Sequence, residues 1–333
     1  MTLPEVSIII PCLNEEKTIL TLLESILKQT YPLDKIETVI ADGMSEDGTR
    51  LIIQEFQTDH PQMKITLCDN PRRRISSGLN MAIRAAKGTI LTRIDAHAIP
   101  AADYLEKSVA ALQEGLGDNI GGVIDIRPSV NRWIPRSIAV ATAHPAGVGD
   151  AKYRWAKTAG ETDTVAYGTF FKSKVEEIGF YNESLKINED YEFNWRLRRA
   201  GGKIRVDPQI RIVYFSRPTL GSLFQQYFSY GFWKVKMLRM YPSTLRWRQG
   251  LPPLFVLGIL MLSLLSVLFT MARIMIILAI GVYLFVLACV SLKVSLEKKD
   301  GSYLIGVPLA IMTMHFSWGA GFWWSLLNPE SEG

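Results

Sequence analysis

Two patterns of apolar and polar positions divide the chain. Up to about residue 218, short apolar runs alternate with segments that repeat an apolar residue every three or four positions. Residues 6–10 are a β-branched run closed by Pro11, and they predict a strand. Residues 16–28 place Ile19, Leu22, Leu23, Ile26 and Leu27 on one helical face and stop before Tyr31-Pro32. Residues 36–41 predict a second strand, ending at Asp42-Gly43. A helix over 49–56, a strand over 64–68, a helix over 77–86 capped by Gly88 and a strand over 89–94 complete the series. This βαβαβαβ order predicts an α/β domain on a mainly parallel sheet with helices on both faces. Right-handed crossovers bring the strand ends to one edge, where ligands bind. Asn14, Asp42 and Asp95 each follow a strand end and are expected to meet there.

Beyond residue 250 the pattern changes. Residues 251–271 and 274–292 carry no charge, and 303–327 holds one ionisable residue, His315. Each is as long as a bilayer-spanning helix, so the sequence predicts a transmembrane α-helical region. Lys234, Lys236, Arg239, Arg246 and Arg248 precede the first span, and Lys293, Lys298 and Lys299 lie between the second and third. Only Arg273 separates the first two, and no basic residue follows 327. The bias of Lys and Arg to the cytoplasmic side places the soluble part and the second loop there, with residues 328–333 on the far side. The short turn at Ala272-Arg273 predicts a tight hairpin, which either crosses fully or re-enters. Ser317, Gly319 and Gly321 follow His315, and small residues of this kind suit close helix packing.

Composition narrows the reading. With 48% hydrophobic residues the chain is not disordered. The net charge of +5 admits nucleic acid or an anionic membrane surface as partner. The apolar spans select the membrane, and no nucleic acid is expected. Cys12, Cys68 and Cys289 are odd in number and form no CxxC, which argues against a disulfide framework and fits a reducing compartment. No signal-peptide pattern is read at the N-terminus. Neither GxGxxG nor GxxxxGK[ST] follows the first strand, so a phosphate would have to be held otherwise, with a metal on acidic ligands the obvious means.

Four stretches then occur in order: Val-Ser-Ile-Ile-Ile-Pro-Cys-Leu-Asn-Glu-Glu (6–16), Ala-Asp-Gly-Met-Ser-Glu-Asp-Gly-Thr (41–49), Arg-Ile-Asp-Ala-His (93–97) and Asn-Glu-Asp-Tyr-Glu-Phe (188–193). Together they resemble the family 2 inverting glycosyltransferases of GT-A fold, and within them the succinoglycan ExoA-like branch, which carries Asp-Ala-His and C-terminal membrane helices. The resemblance implies a Rossmann-like nucleotide-diphospho-sugar transferase domain, a nucleotide-sugar donor such as a UDP-sugar, Mg²⁺ or Mn²⁺, and a one-step displacement with inversion. It implies that Asp95 is the first acid of the family's DxD, with His97 in place of the second, and that the two hold the metal. An imidazole ligand favours Mn²⁺ over Mg²⁺. It implies that Asp42 reads the nucleobase, that Pro11, Asn14 and Glu15 lie on the matching first loop, and that Arg74 and, more weakly, Asn80 contact the donor. Asp190 corresponds to the general base and Glu189 to its partner, and both also suit a helix start. Asp47-Gly48 reads equally as a turn, and the run Arg72-Arg73-Arg74 as a solvated basic face.

Residues 127–164, with three prolines and Trp133, Tyr153 and Trp155, are too long for an ordinary connection and are expected to form a lid facing the acceptor. Trp155 and Tyr230 are the weaker acceptor candidates. The QxxRW of processive members is replaced by Gln226-Tyr-Phe-Ser-Tyr230, which favours a single addition. Residues 221–238 read as an interfacial amphipathic helix. The expected division is therefore a cytoplasmic catalytic domain (1–218), an interfacial segment (219–248) and a membrane domain (249–333). The expected activity is transfer of one sugar to a polyprenyl-diphosphate-linked saccharide at a bacterial inner membrane, during exopolysaccharide assembly. A polyprenyl-phosphate glycosyltransferase and an inactive membrane scaffold of the same fold are the alternatives.

Overall fold

The computed structural model describes residues 3–329; residues 1–2 and 330–333, the ends of the expected first and last domains, lie outside them. In chain order the elements are β1 (Val6–Cys12), α1 (Ile19–Leu27), β2 (Ile36–Asp42), α2 (Thr49–Asp59), β3 (Lys64–Asp69), α3 (Ile75–Ala85), β4 (Ile90–Arg93), β5 (Ala98–Pro100) and α4 (Tyr104–Gln113). There follow β6 (Asn119–Pro128), α5 (Trp133–Ala143), α6 (Pro145–Val148), β7 (Gly160–Glu161), β8 (Gly168–Phe171), α7 (Lys172–Ile178), α8 (Glu189–Arg199) and β9 (Ile204–Ser216). The chain ends in four long helices, α9 (Leu220–Met240), α10 (Trp247–Ser266), α11 (Thr270–Lys298) and α12 (Tyr303–Leu327). These elements form two compact units, one from residues 1–125 and 151–214 and the other from 126–150 and 215–333.

In the first unit the strand order is β3-β2-β1-β4-β8-β6-β9-β5, with β7 on β9. The parallel half, β1 to β4, is the one the apolar runs predicted. The rest departs from that expectation: β8 runs antiparallel to β4 and β6, and β5 and β7 run antiparallel to β9, so the sheet is mixed. β1 and β2 are buried along their whole length, as strands covered on both faces must be. Ile9, Val39, Leu79, Ile83, Leu91, Phe170 and Phe193 pack together as the core under α3 and α8. Gly88 does not cap α3, whose cap is Ala86; a Cβ on Gly88 would lie 2.7 Å from the Ser7 backbone nitrogen, so its role is close approach.

In the second unit residues 126–150, expected as part of a lid, are not a loop. Pro135 falls within the first turn of α5, where its missing N–H costs nothing, and the helix buries Ile138 and Ala141 against Val307, Ala310, Ile311 and Met314 of α12. Asp150 ends this insertion on Arg246 (2.9 Å) and Arg248 (2.5 Å), at the start of α10. α10 begins before and ends before the predicted 251–271, and α11 extends beyond the predicted 274–292 at both ends, while α12 matches 303–327. Among the described residues three helices are thus long and apolar enough to cross a membrane. α9 is not a bare amphipathic helix: it packs along α12, where Gly231 meets the Trp318 backbone and Gly321 meets that of Phe228. Lys234 of α9 is fully buried and donates to the Thr244 carbonyl at 2.8 Å. His315 stays within the bundle, its Nδ1 3.1 Å from the Tyr283 hydroxyl.

Candidate active site

β1 pairs in parallel with both β2 and β4, so the loops leaving these three strands meet at one edge of the sheet. Pro11, buried near the end of β1, packs under Gly78 of α3. Asn14 turns the first loop through a left-handed residue (φ 54°). Its N–H donates to Ser45 Oγ (2.8 Å), and its Oδ1 accepts from the Glu46 N–H (2.9 Å). Glu15 accepts from Thr18 Oγ1 at 2.5 Å and faces His97 Nδ1 at 2.9 Å, which ties the first loop to the loop after β4.

Asp42 is fully buried. Its carboxylate accepts from the Ser45 N–H (3.0 Å), the Ser45 hydroxyl (2.5 Å) and Arg50 Nη1 (2.9 Å). It anchors the loop after β2 with three donors already engaged. Asp47 accepts from the Thr49 N–H and hydroxyl at the start of α2, the turn role the sequence allowed. Asn80 is also fully engaged: it donates to the Tyr181 carbonyl and Glu183 Oε1 and accepts from the Tyr181 N–H, each at 2.9 Å. Arg74 donates to the Glu183 carbonyl (3.1 Å), and Arg72 pairs with the Glu183 carboxylate. Asn80 and the basic run thus clamp residues 181–183.

The centre of the site is Arg93, the last residue of β4 and 5% exposed. Its Nη2 donates to Glu189 Oε1 (2.9 Å) and its Nε to Asp95 Oδ1 (3.2 Å). Its buried Nη1 has no hydrogen-bond partner among the described residues. Glu189 and Asp190 open α8 after the left-handed Asn188 (φ 69°), where the helix dipole favours negative charge. Asp190 is half-buried and accepts the Tyr191 N–H at 2.7 Å. Burial pushes the Glu189 carboxyl up to about 7, against the pull of Arg93 and with the repulsion of Asp190. Burial also raises Asp190, while Arg93 and the Tyr191 N–H draw it back. Burial disfavours the charge of Arg93, but Asp95 and Glu189 outweigh that and hold the guanidinium charged. One cation therefore faces three carboxylates, and the site is short of positive charge.

That deficit suits a divalent cation. Among the described residues no group of three or more His, Cys, Asp or Glu is arranged to hold one. Asp95 and His97 are partly exposed, with side chains 21% and 41% accessible, and would supply two ligands at most. Mg²⁺ and Mn²⁺ bound with nucleotides commonly take one or two protein carboxylates and fill the remaining positions with phosphate oxygens and water. Because His97 Nδ1 faces Glu15, any metal bond from His97 would be made by Nε2.

Of the acceptor candidates, Trp155 follows a short 3₁₀ turn in the first unit, and Tyr230 lies on α9 in the second, accepting from Gln226 Nε2 at 3.0 Å. Sequence reasoning passed over Arg93, Tyr181 and Glu183. The available signal was an arginine closing an otherwise apolar strand next to the Asp-Ala-His stretch.

Residues 7–179 match the model of the family described as Glycosyl transferase family 2. The chain is 32% identical over 325 residues to the succinoglycan biosynthesis protein ExoA of Rhizobium meliloti (strain 1021), covering 96% of this chain and 94% of that one. It is 28% identical over 332 residues to the dolichyl N-acetyl-alpha-D-glucosaminyl phosphate 3-beta-D-2,3-diacetamido-2,3-dideoxy-beta-D-glucuronosyltransferase of Methanococcus voltae, covering 98% of each. Its fold is similar to that of the mannosyltransferase PcManGT of Pyrobaculum calidifontis, solved with GDP-Man and Mn²⁺ (TM-score 0.69, 21% identity, 98% of this chain and 88% of that one).

Proposed function

The chain belongs to glycosyl transferase family 2 and has the GT-A fold, and on that premise we propose that it transfers a single sugar, with inversion, from a nucleotide-sugar to a polyprenyl-diphosphate-linked saccharide during synthesis of a surface glycan. The observation that carries this reading is the ion-paired unit of Arg93, Asp95, Glu189 and Asp190, which couples the acidic loop after β4 to the start of α8. The loops after β1, β2 and β4 receive the nucleotide, with Asn14, Glu15 and Asp42 shaping the base end. Arg74 closes over the donor from the 181–183 side.

A bound Mg²⁺ or Mn²⁺ would neutralise the charge that develops on the departing diphosphate. Asp95 and His97 present the oxygen and nitrogen that fit it. Asp190 takes the proton of the attacking acceptor hydroxyl. Its raised affinity for protons suits that role, since a base is most effective when its pKa approaches the working pH. Glu189, fixed by Arg93, keeps the start of α8 in place. A saccharide on a lipid diphosphate explains why a catalytic unit is joined to apolar helices. The name of the Methanococcus voltae relative likewise specifies a lipid-linked sugar as acceptor, there on a dolichyl monophosphate, which supports the lipid-linked class and not the second phosphate. The absence of Arg-Trp after Gln226 supports one addition per encounter.

The test is Asp190→Asn in the detergent-purified chain, with a panel of nucleotide-sugars, Mn²⁺ or Mg²⁺ and a membrane lipid extract, read by mass spectrometry of the lipid product. The variant should bind donor and lose transfer by roughly 10²-fold or more. Near-normal transfer would remove Asp190 from the base role. A product bearing one sugar on a bare polyprenyl phosphate would replace the proposed acceptor.

A further inference from the structure

By length and composition α12 is a third candidate membrane span, but its surroundings differ from those of α10 and α11. In α12 44% of the apolar stretch is buried, against 11% in each of the other two, and it is the least apolar of the three. α5 covers its first half: Ser137 meets Gly306, and Met314 reaches Gly147 of α6. α9 covers its second half through Gly231 and Gly321. What remains exposed is a stripe through Ile305, Phe316 and Leu327, which recur every three turns, widened at the helix ends by Leu304, Trp324 and Leu326.

The two ends of α12 carry the decisive contacts. At its start, Asp300 pairs with Arg136 of α5 at 3.0 Å, directly after Lys298 and Lys299. At its end, Arg239 Nη2 donates to the Ser325 carbonyl (2.9 Å) and Lys236 Nζ to the Pro329 carbonyl (2.6 Å), both from α9. Lys236 and Arg239 belong to the basic cluster that precedes the α10–α11 hairpin, and Lys293, Lys298 and Lys299 to the one that follows it. The Lys and Arg bias keeps both clusters on the cytoplasmic side. A helix whose two ends are bonded to, or adjoin, those clusters cannot have its ends on opposite sides of the bilayer.

We infer that α12 does not cross the membrane: only the α10–α11 hairpin enters the bilayer, while α12 lies along its cytoplasmic face between α5 and α9. The hairpin is suited to enter alone. Val267, Leu268, Phe269 and Met271 at its tip are exposed and apolar. Its one tip charge, Arg273, folds back onto the Ser266 and Val267 carbonyls (2.6 and 3.2 Å), so no polar loop is presented. The exposed stripe of α12 then faces the lipid as that of an in-plane helix does, and Trp318, Trp323 and Trp324 suit the interfacial depth. This arrangement replaces the odd number of crossings expected from hydropathy with an even one.

The test places single cysteines at the exposed Gly301 and at Asn328, flanking α12, in the full chain with Cys12, Cys68 and Cys289 replaced by serine. Cells are treated with a membrane-impermeant maleimide before and after permeabilisation. Both positions should be labelled only after permeabilisation. Labelling of Asn328→Cys in intact cells, with Gly301→Cys still protected, would overturn the inference. A protease site inserted after Pro329 in the otherwise native chain gives a second reading: cleavage in inverted vesicles but not in intact cells supports it, and the reverse refutes it.

Discussion

Arg93→Met is the sharpest perturbation of the site. It removes the one buried cation from among Asp95, Glu189 and Asp190 and leaves a side chain of similar length. Breaking a buried pair by deleting one partner costs about 3–5 kcal/mol, because the charge left behind is uncompensated. For a domain of about 150–250 residues each kcal/mol lowers Tm by about 2–4 °C, so a fall of about 6–20 °C is expected where the acids are ionised. The loss should depend on pH. Burial already lifts Glu189 from 4.5 to about 7 on folding. A carboxyl raised in this way favours the folded state fully below its unfolded pKa, and that contribution is lost as pH rises through the folded value. Without Arg93 the Glu189 carboxyl rises further, so the variant should lose stability more steeply than the parent between about pH 4.5 and above 7. Thermal unfolding of both proteins in the same detergent, at about pH 5 and about pH 8, reads this directly. The gap in Tm should be small at the lower pH and full at the higher. Adding Glu189→Gln to Arg93→Met should recover part of the loss, since the two residues share one interaction. An equal gap at both pH values, or no gain from the second substitution, would refute the account of Arg93 as the counter-charge of the site.

Two further outcomes follow from the geometry. Asp95→Ala should abolish metal-dependent binding of a nucleoside diphosphate, while His97→Ala should weaken binding with Mn²⁺ more than with Mg²⁺; calorimetry with each metal checks this, and unchanged metal dependence in both variants would make the Asp-Ala-His stretch a turn only. Gly321→Val would bring a Cβ within 2.8 Å of the Phe228 carbonyl carbon and should cost about 1–3 kcal/mol through overpacking of α9 on α12, seen as a lower Tm in detergent; an unchanged Tm would mean that the two helices are not tightly joined.

The parallel half of the sheet was legible because three of its four strands, β1, β2 and β4, are buried along their length and β1 reads as a continuous β-branched run, Ile8-Ile9-Ile10. The antiparallel half was not. β5 and β7 have only three and two residues, too few for an alternation to register, and β9 is interrupted by Pro208. α5 was hidden by Pro135, which reads as a helix breaker unless the helix start is known. Asp190 and Asp95 stood out because acids beside strand and helix ends carry an obvious chemistry. Arg93 did not, since nothing local shows that a strand-terminal arginine will meet Glu189, 96 residues away. Asn80 and Asp42 present the opposite case. Their positions suggested ligand contacts, yet their polar atoms are engaged by Tyr181, Glu183, Ser45 and Arg50.

The insertion 126–150 has a consequence for how the polypeptide matures. Ile138 and Ala141 of α5 bury themselves on Val307, Ala310 and Met314, which leave the ribosome far later. At about 5–20 residues per second the apolar side of α5 waits roughly 10–30 s for its partner after it emerges. Throughout that interval β6 and β8 can pair with each other, while α5 lacks its main partner and can meet only Leu223 and Tyr227 of α9. The second unit thus becomes complete only when α12 has been made, and a nascent chain halted before residue 303 would carry a partly uncovered, aggregation-prone helix. Assembly of the two units is therefore ordered in time by the placement of one short segment in the gene.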